Sequence, residues 1–263
     1  MRLFTVDSFT SVPFKGNPAA VCVLDHPLSE EEYKDIAQEM NLSETAFVYK
    51  DDGIYQLRWF TPTSEIDLCG HATLATAKIL FEKFNVTNDV LEFNTRSGIL
   101  KVKRAWNLLE MNFPLGRTVA DNQHDKLLEE FLNEKPIAVH TSGDWCLIEI
   151  ESSDSVRDLI PNFNLLLEHR KKKFIVTAKS SDKAFDFMSR VFVPDFGINE
   201  DPVTGSAHCY LAHYWSEKLS KNNLVGYQAS KRGGLIACEV IGNERVLLRG
   251  DCVIMSELLI EWD

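Results

Sequence analysis

Two stretches of this 263-residue chain hold residue types at spacings that can do chemistry. The first is Arg58 to Thr73, RWFTPTSEIDLCGHAT. The second, a weaker copy, is Arg190 to His208, RVFVPDFGINEDPVTGSAH. Both carry R-x-F-x-P (Arg58, Phe60, Pro62; Arg190, Phe192, Pro194). Both then run through an acidic loop to Gly-x-Ala at the head of an apolar segment (Gly70-His71-Ala72; Gly205-Ser206-Ala207). A glycine at a helix start lets a ligand or another backbone approach closely. The start itself offers N–H groups and the positive end of the helix dipole, which together suit an anion. Two such starts across one cleft would hold a small carboxylate-bearing substrate.

Acid–base candidates flank these turns. Glu44 ends a loop ahead of Thr45 and Ala46, small residues that leave its carboxylate open to a cleft. Burial there is expected to raise its pKa toward a value useful for proton transfer. Asp201, four residues before Gly205, is a second carboxylate, and Asp67 is its approximate counterpart. His71 and His208 lie in the first turns of the two apolar segments, and their repetition points to function. Asn17, in the turn FKGNPAA, has a side chain able to bind a ligand. Each residue also has a plainer reading. Asn17 and Asp201 suit Asx turns, Glu44 a solvated charge before a strand, the histidines core positions, and the glycines ordinary packing.

Other chemistries fit less well. The six cysteines form no C-x-x-C pair, and His208, Cys209 and His213 do not share one row, so no metal site is expected. Gly205-Ser206 is not a G-x-S-x-G elbow. Cys69 at a helix start is a candidate low-pKa thiol, but its counterpart is Thr204.

The elements that must position these residues repeat as well. Short apolar strands are expected at Leu3 to Asp7 and Val21 to Leu24. Ser29 to Glu32 reads as a capping box, opening a helix to about Met40. Strands follow at Ala46 to Tyr49 and at Ile54 to Phe60, where Tyr55, Leu57 and Trp59 alternate. After Gly70 the segment is apolar nearly all round, the mark of a buried helix. Further strands are expected at Val90 to Asn94, Gly98 to Lys103 and Leu108 to Phe113. The second half answers with Cys146 to Ile150, Phe174 to Thr177, the helix Ser206 to Trp215, Val246 to Leu248 and Val253 to Leu259. Landmarks sit 128 residues apart at Ala46 and Phe174, 132 at Arg58 and Arg190, 135 at Gly70 and Gly205, and 136 at Arg96 and Arg232. The expected fold is α+β: two pseudo-duplicated domains, residues 1–117 and 118–263, each a curved, barrel-like sheet around one buried helix. Gly116 to Asp125 is the expected linker.

Composition is that of a globular chain, 44% hydrophobic and 25% charged. A net charge of −11 argues against nucleic acid as a partner. No apolar run is long enough for a membrane helix, and MRLFTVDSF lacks a signal-peptide core. Scattered cysteines read as reduced thiols, so a cytoplasmic protein is expected.

These motifs resemble the phenazine-biosynthesis isomerase (PhzF-like) family. The likeness covers Val6 to Leu24, Glu44 to Phe47, Leu57 to Ala75, Gly197 to Trp215 and Ser230 to Gly234, in order and nearly end to end. It implies a diaminopimelate-epimerase-like fold, a site between two domains, homodimers, and no cofactor or metal. It also implies that a last strand near residues 258–262 joins the first domain. The family's proton-transferring glutamate matches Glu44, its G-H-A-T histidine matches His71, and its D-P-V-T-G-S aspartate matches Asp201. Gly70, Gly205 and Ser206 match groups around the substrate, and Asn17 matches the asparagine of K-G-N-P. The expectation is a cofactor-independent isomerase of a small carboxylate metabolite. A racemase or epimerase of amino-acid type, or a non-catalytic ligand-binding module, are the alternatives.

Overall fold

The apolar alternation and turn residues of this chain resolve into eighteen strands and six α-helices in the computed structural model, which describes residues 1–123 and 125–261. The first run is β1 (Arg2–Ser8), β2 (Asn17–Val23), α1 (Glu30–Met40), β3 (Glu44–Asp51), β4 (Ile54–Phe60), β5 (Glu65–Ile66), α2 (Gly70–Lys83), β6 (Val90–Thr95), β7 (Gly98–Ala105) and β8 (Leu108–Pro114). Then come β9 (Val119–Ala120), α3 (Lys126–Leu132), β10 (Ala138–Ser142), β11 (Trp145–Glu149), α4 (Ser153–Asp158) and α5 (Phe163–Glu168). The chain finishes with β12 (Lys173–Lys179), β13 (Phe187–Val193), β14 (Ile198–Asp201), α6 (Gly205–Leu219), β15 (Asn223–Gln228), β16 (Gly234–Ile241), β17 (Arg245–Gly250) and β18 (Cys252–Leu259). Residue 124, in the expected linker, and residue 262, in the expected last strand, lie outside the described residues.

Two compact units result: Met1–Asn112 with Leu248–Asp263, and Phe113–Leu247. In the first, β1 pairs antiparallel with β2, β2 parallel with β3, β3 antiparallel with β4, β4 parallel with β6, and β6 antiparallel with β7. In the second, β10 to β11, β11 to β12, β12 to β13, β13 to β15 and β15 to β16 repeat that alternation without change. The duplication is therefore one of topology as well as sequence. Each parallel step needs a crossover. α1 supplies the first, started by a capping box in which Ser29 and Glu32 satisfy each other's amides.

The strand that flanks the start of each ladder comes from a different place in the chain in the two units. β9, which follows β8, pairs with β10. β18, the last strand, pairs with β1 along its whole length, from Arg2 opposite Leu259 to Ser8 opposite Cys252.

Helices α2 and α6 are the buried ones. In α2, His71 to Ala77 and Ile79 to Phe81 are all buried, and the helix touches β1, β2, β3, β7 and β18. On the outer face of the sheet, Tyr33 and Ala37 of α1 pack on Leu3, Ala20, Cys22 and Phe47. Covered on both sides, β2 is buried nearly throughout. Each fully buried Leu or Ile contributes roughly 1.5–3 kcal/mol. Packing of this kind, rather than capping, makes α2 a helix, since its N-cap Cys69 makes no side-chain capping bond.

The ladder adjusts one offset. Phe47 lies opposite Arg58 and Val176 opposite Arg190. Ala46 therefore corresponds to Ile175, 129 residues on, instead of Phe174.

Candidate active site

Glu44 is the first residue of β3 and not the end of a loop. The parallel register sets it beside Ala19, two residues after Asn17. His71 is the second residue of α2 and packs beneath the same strands. This brings together three residues that are distant in sequence. His71 Nε2 lies 3.1 Å from Glu44 Oε2. On the other side of the ring, Nδ1 is 3.3 Å from Asn17 Nδ2 and 3.5 Å from Cys69 Sγ. Ser8 Oγ donates to the His71 carbonyl at 2.8 Å and fixes the turn. Asn17 is fully buried. Its position depends on Gly16, whose φ of +68° favours glycine and where a Cβ would stand 2.1 Å from the Ser8 carbonyl oxygen.

The electrostatics differ from the sequence expectation. Burial does oppose a charge on Glu44, but attraction to His71, together with the Ser43 hydroxyl, outweighs it and holds the carboxyl below its ordinary value. Burial likewise opposes a charge on His71, but attraction first to the Cys69 sulfur and then to Glu44, with hydrogen bonds to both, raises its pKa well above the ordinary histidine value. The two shifts have opposite directions, and each side chain favours the charged form of the other. The two facing atoms, Glu44 Oε2 and His71 Nε2, are each other's partners. Burial raises the pKa of the Cys69 thiol, and attraction to His71 only partly offsets that.

The second unit holds the counterpart turn, where Asp201 ends β14 and Gly205 and Ser206 open α6. Thr204 Oγ1 donates to Asp201 Oδ2 at 2.6 Å. Gln228, fully buried and unnoticed in the sequence, braces the loop. It donates to the Asp201 carbonyl at 2.7 Å and accepts from the Thr204 amide at 2.9 Å. Ser230 Oγ donates to the Pro202 carbonyl at 2.7 Å, as Ser97 Oγ does to the Asp67 carbonyl in the first unit. This shared latch makes Pro202 the counterpart of Asp67, so Asp201 corresponds to Ile66. Neither α2 nor α6 has a side-chain N-cap bond, whereas α1, α3 and α4 are capped by Ser29, Asp125 and Ser152. The two glycine-led helix starts are therefore not occupied by capping side chains.

His208 departs from the functional expectation. Its Nδ1 donates to the Thr204 carbonyl at 2.8 Å. Thr73 does the same to the Cys69 carbonyl, with its Oγ1 at 2.5 Å. His208 thus answers Thr73, while His71 answers Ser206. Fully buried against Phe187 and Gly226, His208 is a packing residue.

The repeated arginines are latches. Arg58 grips Glu65 through two bonds, 2.8 and 2.7 Å, and stacks on Tyr33 and Phe60. Arg190 grips Glu200 at 2.7 and 2.9 Å, stacks on Phe192 and donates to the Leu159 carbonyl at 2.6 Å. Each fixes the strand that leads to its helix start. Glu65 keeps Arg96 at 2.7 Å if Arg58 is lost. Arg190→Met should therefore cost about 2 kcal/mol and Arg58→Met about 1 kcal/mol. Urea midpoints of the two variants check the order, and equal losses would contradict it.

Comparison with known proteins agrees with this architecture. Residues 6–258 match the family model for phenazine biosynthesis-like proteins (PhzC-PhzF). A protein described as an uncharacterized isomerase of Halalkalibacterium halodurans is 46% identical over 261 residues, 98% of each chain. A crystal structure of a PhzF-family protein from Enterococcus faecalis superposes with a TM-score of 0.93 at 40% identity, over 97% of each chain. A hydroxyproline epimerase from Agrobacterium vitis shares the fold, with a TM-score of 0.66 at 10% identity, over 98% of this chain and 91% of that one. Among the described residues, no helix is long and apolar enough to cross a membrane.

Proposed function

For a chain that belongs to the phenazine biosynthesis-like (PhzC-PhzF) family, we propose an isomerase that moves a proton between two positions of a small carboxylate-bearing metabolite, with Glu44 as the carrier. One observation carries this reading: the Glu44 carboxyl, at the head of β3, stands 3.1 Å from the buried His71 imidazole, whose attraction lowers its pKa. Glu44 is present as the base before substrate arrives. Because its pKa is held low, the protonated form is a willing acid and returns the proton readily. That suits one group that first takes and then gives. No electron acceptor or cofactor is required for such a shift.

In this reading Asn17 and His71 orient the carboxylate and the substrate. The uncapped start of α2, at Gly70, receives the substrate's negative charge, and the start of α6, at Gly205-Ser206, offers amides of the same kind in its own unit. Asp201 is assigned as a second acid–base group, a role that rests on the family motif. Wild-type enzyme incubated in deuterated water with small unsaturated carboxylic acids should place solvent deuterium at the carbon that gains the proton, or return the original proton there. Absence of any turnover or exchange across such a panel would count against the reading.

A thiol-driven racemisation is the second reading, favoured only by the contact between Cys69 and His71. The Cys69 thiol is buried, which raises its pKa, and its counterpart is Thr204, so it lacks a partner sulfur in the repeat. Cys69→Ser should keep most of the activity; loss to background would favour the thiol.

A further inference from the structure

Ser43 has no part in that mechanism, yet it completes a circuit of side chains around Glu44. His71 Nε2 stands 3.1 Å from Glu44 Oε2, and Nδ1, across the ring, stands 3.3 Å from Asn17 Nδ2. Asn17 Oδ1 lies 3.5 Å from Ser43 Oγ, which also lies 3.5 Å from the Pro18 carbonyl oxygen. The Ser43 hydroxyl in turn bonds the Glu44 carboxyl. These residues all belong to the first unit. Local structure puts Ser43 there. Asn41 ends α1 in the left-handed conformation, with φ +48°, and Leu42 packs on the same core as α1. β3 then runs parallel to β2 with Glu44 beside Ala19, which brings Ser43 to Pro18 and Asn17.

The repeat lacks this circuit. In the two ladders Phe47 answers Val176, and Val21 answers Leu147. Lys172 and Lys173 therefore stand where Ser43 and Glu44 do, Gly143 where Asn17 does, and Ser206 where His71 does. A topology that is built twice and carries the circuit once does not need it in order to fold.

We propose that Ser43 is a positioning residue, whose hydroxyl holds the Glu44 carboxylate in place beside His71 between proton transfers. As a statement about the reaction, this rests on the reading of Glu44 as the proton carrier. A serine hydroxyl has one proton, and Ser43 has three acceptors within reach of it: the Glu44 carboxyl, Asn17 Oδ1 and the Pro18 carbonyl. While Glu44 is ionised, its carboxylate is the strongest of these, since a hydrogen bond to a charged group is about twice as strong as a neutral one. Once Glu44 has taken a proton that advantage is gone, and the hydroxyl turns to Asn17 or Pro18. A bond made to the ionised form and released from the protonated form lowers a carboxyl pKa, the direction in which Glu44 is displaced.

The test follows the Glu44 side-chain carboxyl carbon by NMR in the full-length chain carrying ¹³C-labelled glutamate, with the resonance identified by its loss in Glu44→Gln. Ser43→Ala should move the Glu44 titration up by roughly 1 pH unit, the size expected for one hydrogen bond. Ser43→Thr keeps the hydroxyl and should restore the parent midpoint. Solvent-deuterium exchange by Ser43→Ala should fall about 10-fold at pH values below the parent midpoint and match the parent well above it. Ser43→Cys, close to serine in size but a weak donor, should shift the titration in the same direction and serves if the alanine variant does not fold. A titration unmoved in the folded variant would overturn the proposal. So would a shift that Ser43→Thr leaves in place, because packing and not the hydroxyl would then be its cause. If the parent catalyses no exchange while the titration moves as stated, the isomerase reading fails and the hold of Ser43 on Glu44 stands.

Discussion

Glu44→Gln lowers proton transfer by roughly 100- to 10,000-fold while leaving the fold intact. Glutamine has the size of glutamate and can still bond the Ser43 hydroxyl, but it cannot take a proton from carbon. It also leaves His71 without the carboxylate 3.1 Å away that stabilises its charge. The measurement is solvent-deuterium incorporation, together with the melting temperature as a check on folding. A variant that exchanges at the parent rate and melts normally would remove Glu44 from the chemistry. A variant that is inactive because it is unfolded is recognised by its melting curve. Glu44→Asp then decides the matter, since it keeps the carboxylate but withdraws it by one methylene.

Acid sensitivity of stability traces to His208. This imidazole is fully buried; burial pushes its pKa down to about 4, and the bond to the Thr204 carbonyl only partly resists that. Nε2 has no hydrogen-bond partner, so a second proton there would be an unpaired buried charge. In the unfolded chain the same group titrates near 6.5. Between those values the unfolded state binds a proton that the folded state refuses. The stability associated with neutral His208 is therefore complete above pH 6.5, falls as pH drops, and is exhausted near pH 4. The difference amounts to about 3 kcal/mol. His208→Asn keeps a donor for the Thr204 carbonyl and removes the titration. Urea denaturation from pH 7 to pH 4 should show a shallower loss in the variant, with the two curves converging in acid. Parallel curves would acquit His208.

Much of this was legible in the chain. The duplicated turn predicted two buried helices, and the alternation at Ile54 to Phe60 gave β4 to the residue. What could not be read was anything that depends on register across elements. Glu44 and His71 are 27 residues apart and meet only because β3 runs parallel to β2 above α2, so neither the lowered carboxyl nor the Cys69 cluster shows in any spacing pattern. The repeat itself misled where identity was mistaken for correspondence. His71 and His208 look alike in sequence, but the bonds to the carbonyls of Cys69 and Thr204 pair His208 with Thr73. Asp67 and Asp201 look alike too, yet the serine latches move the match by one residue. Arg58 and Arg190 were conspicuous as part of a chemical motif, and their partners Glu65 and Glu200 show them holding backbone instead. Gln228 carried no signal, because a glutamine at the end of a strand is unremarkable until the loop it braces is known.

The pairing of β18 with β1 also sets an order of events during synthesis. Ser8 and Cys252 meet across 244 residues. A ribosome adding about 5–20 residues per second needs roughly 12–50 s to span that distance, whereas helices and hairpins form in microseconds. Throughout that interval the edge of β1 that β18 will cover is an open template for other strands. The second unit is continuous in sequence and is complete before the first can be. The half of the molecule made first is therefore finished last, and its first strand is the part of the nascent chain most in need of cover.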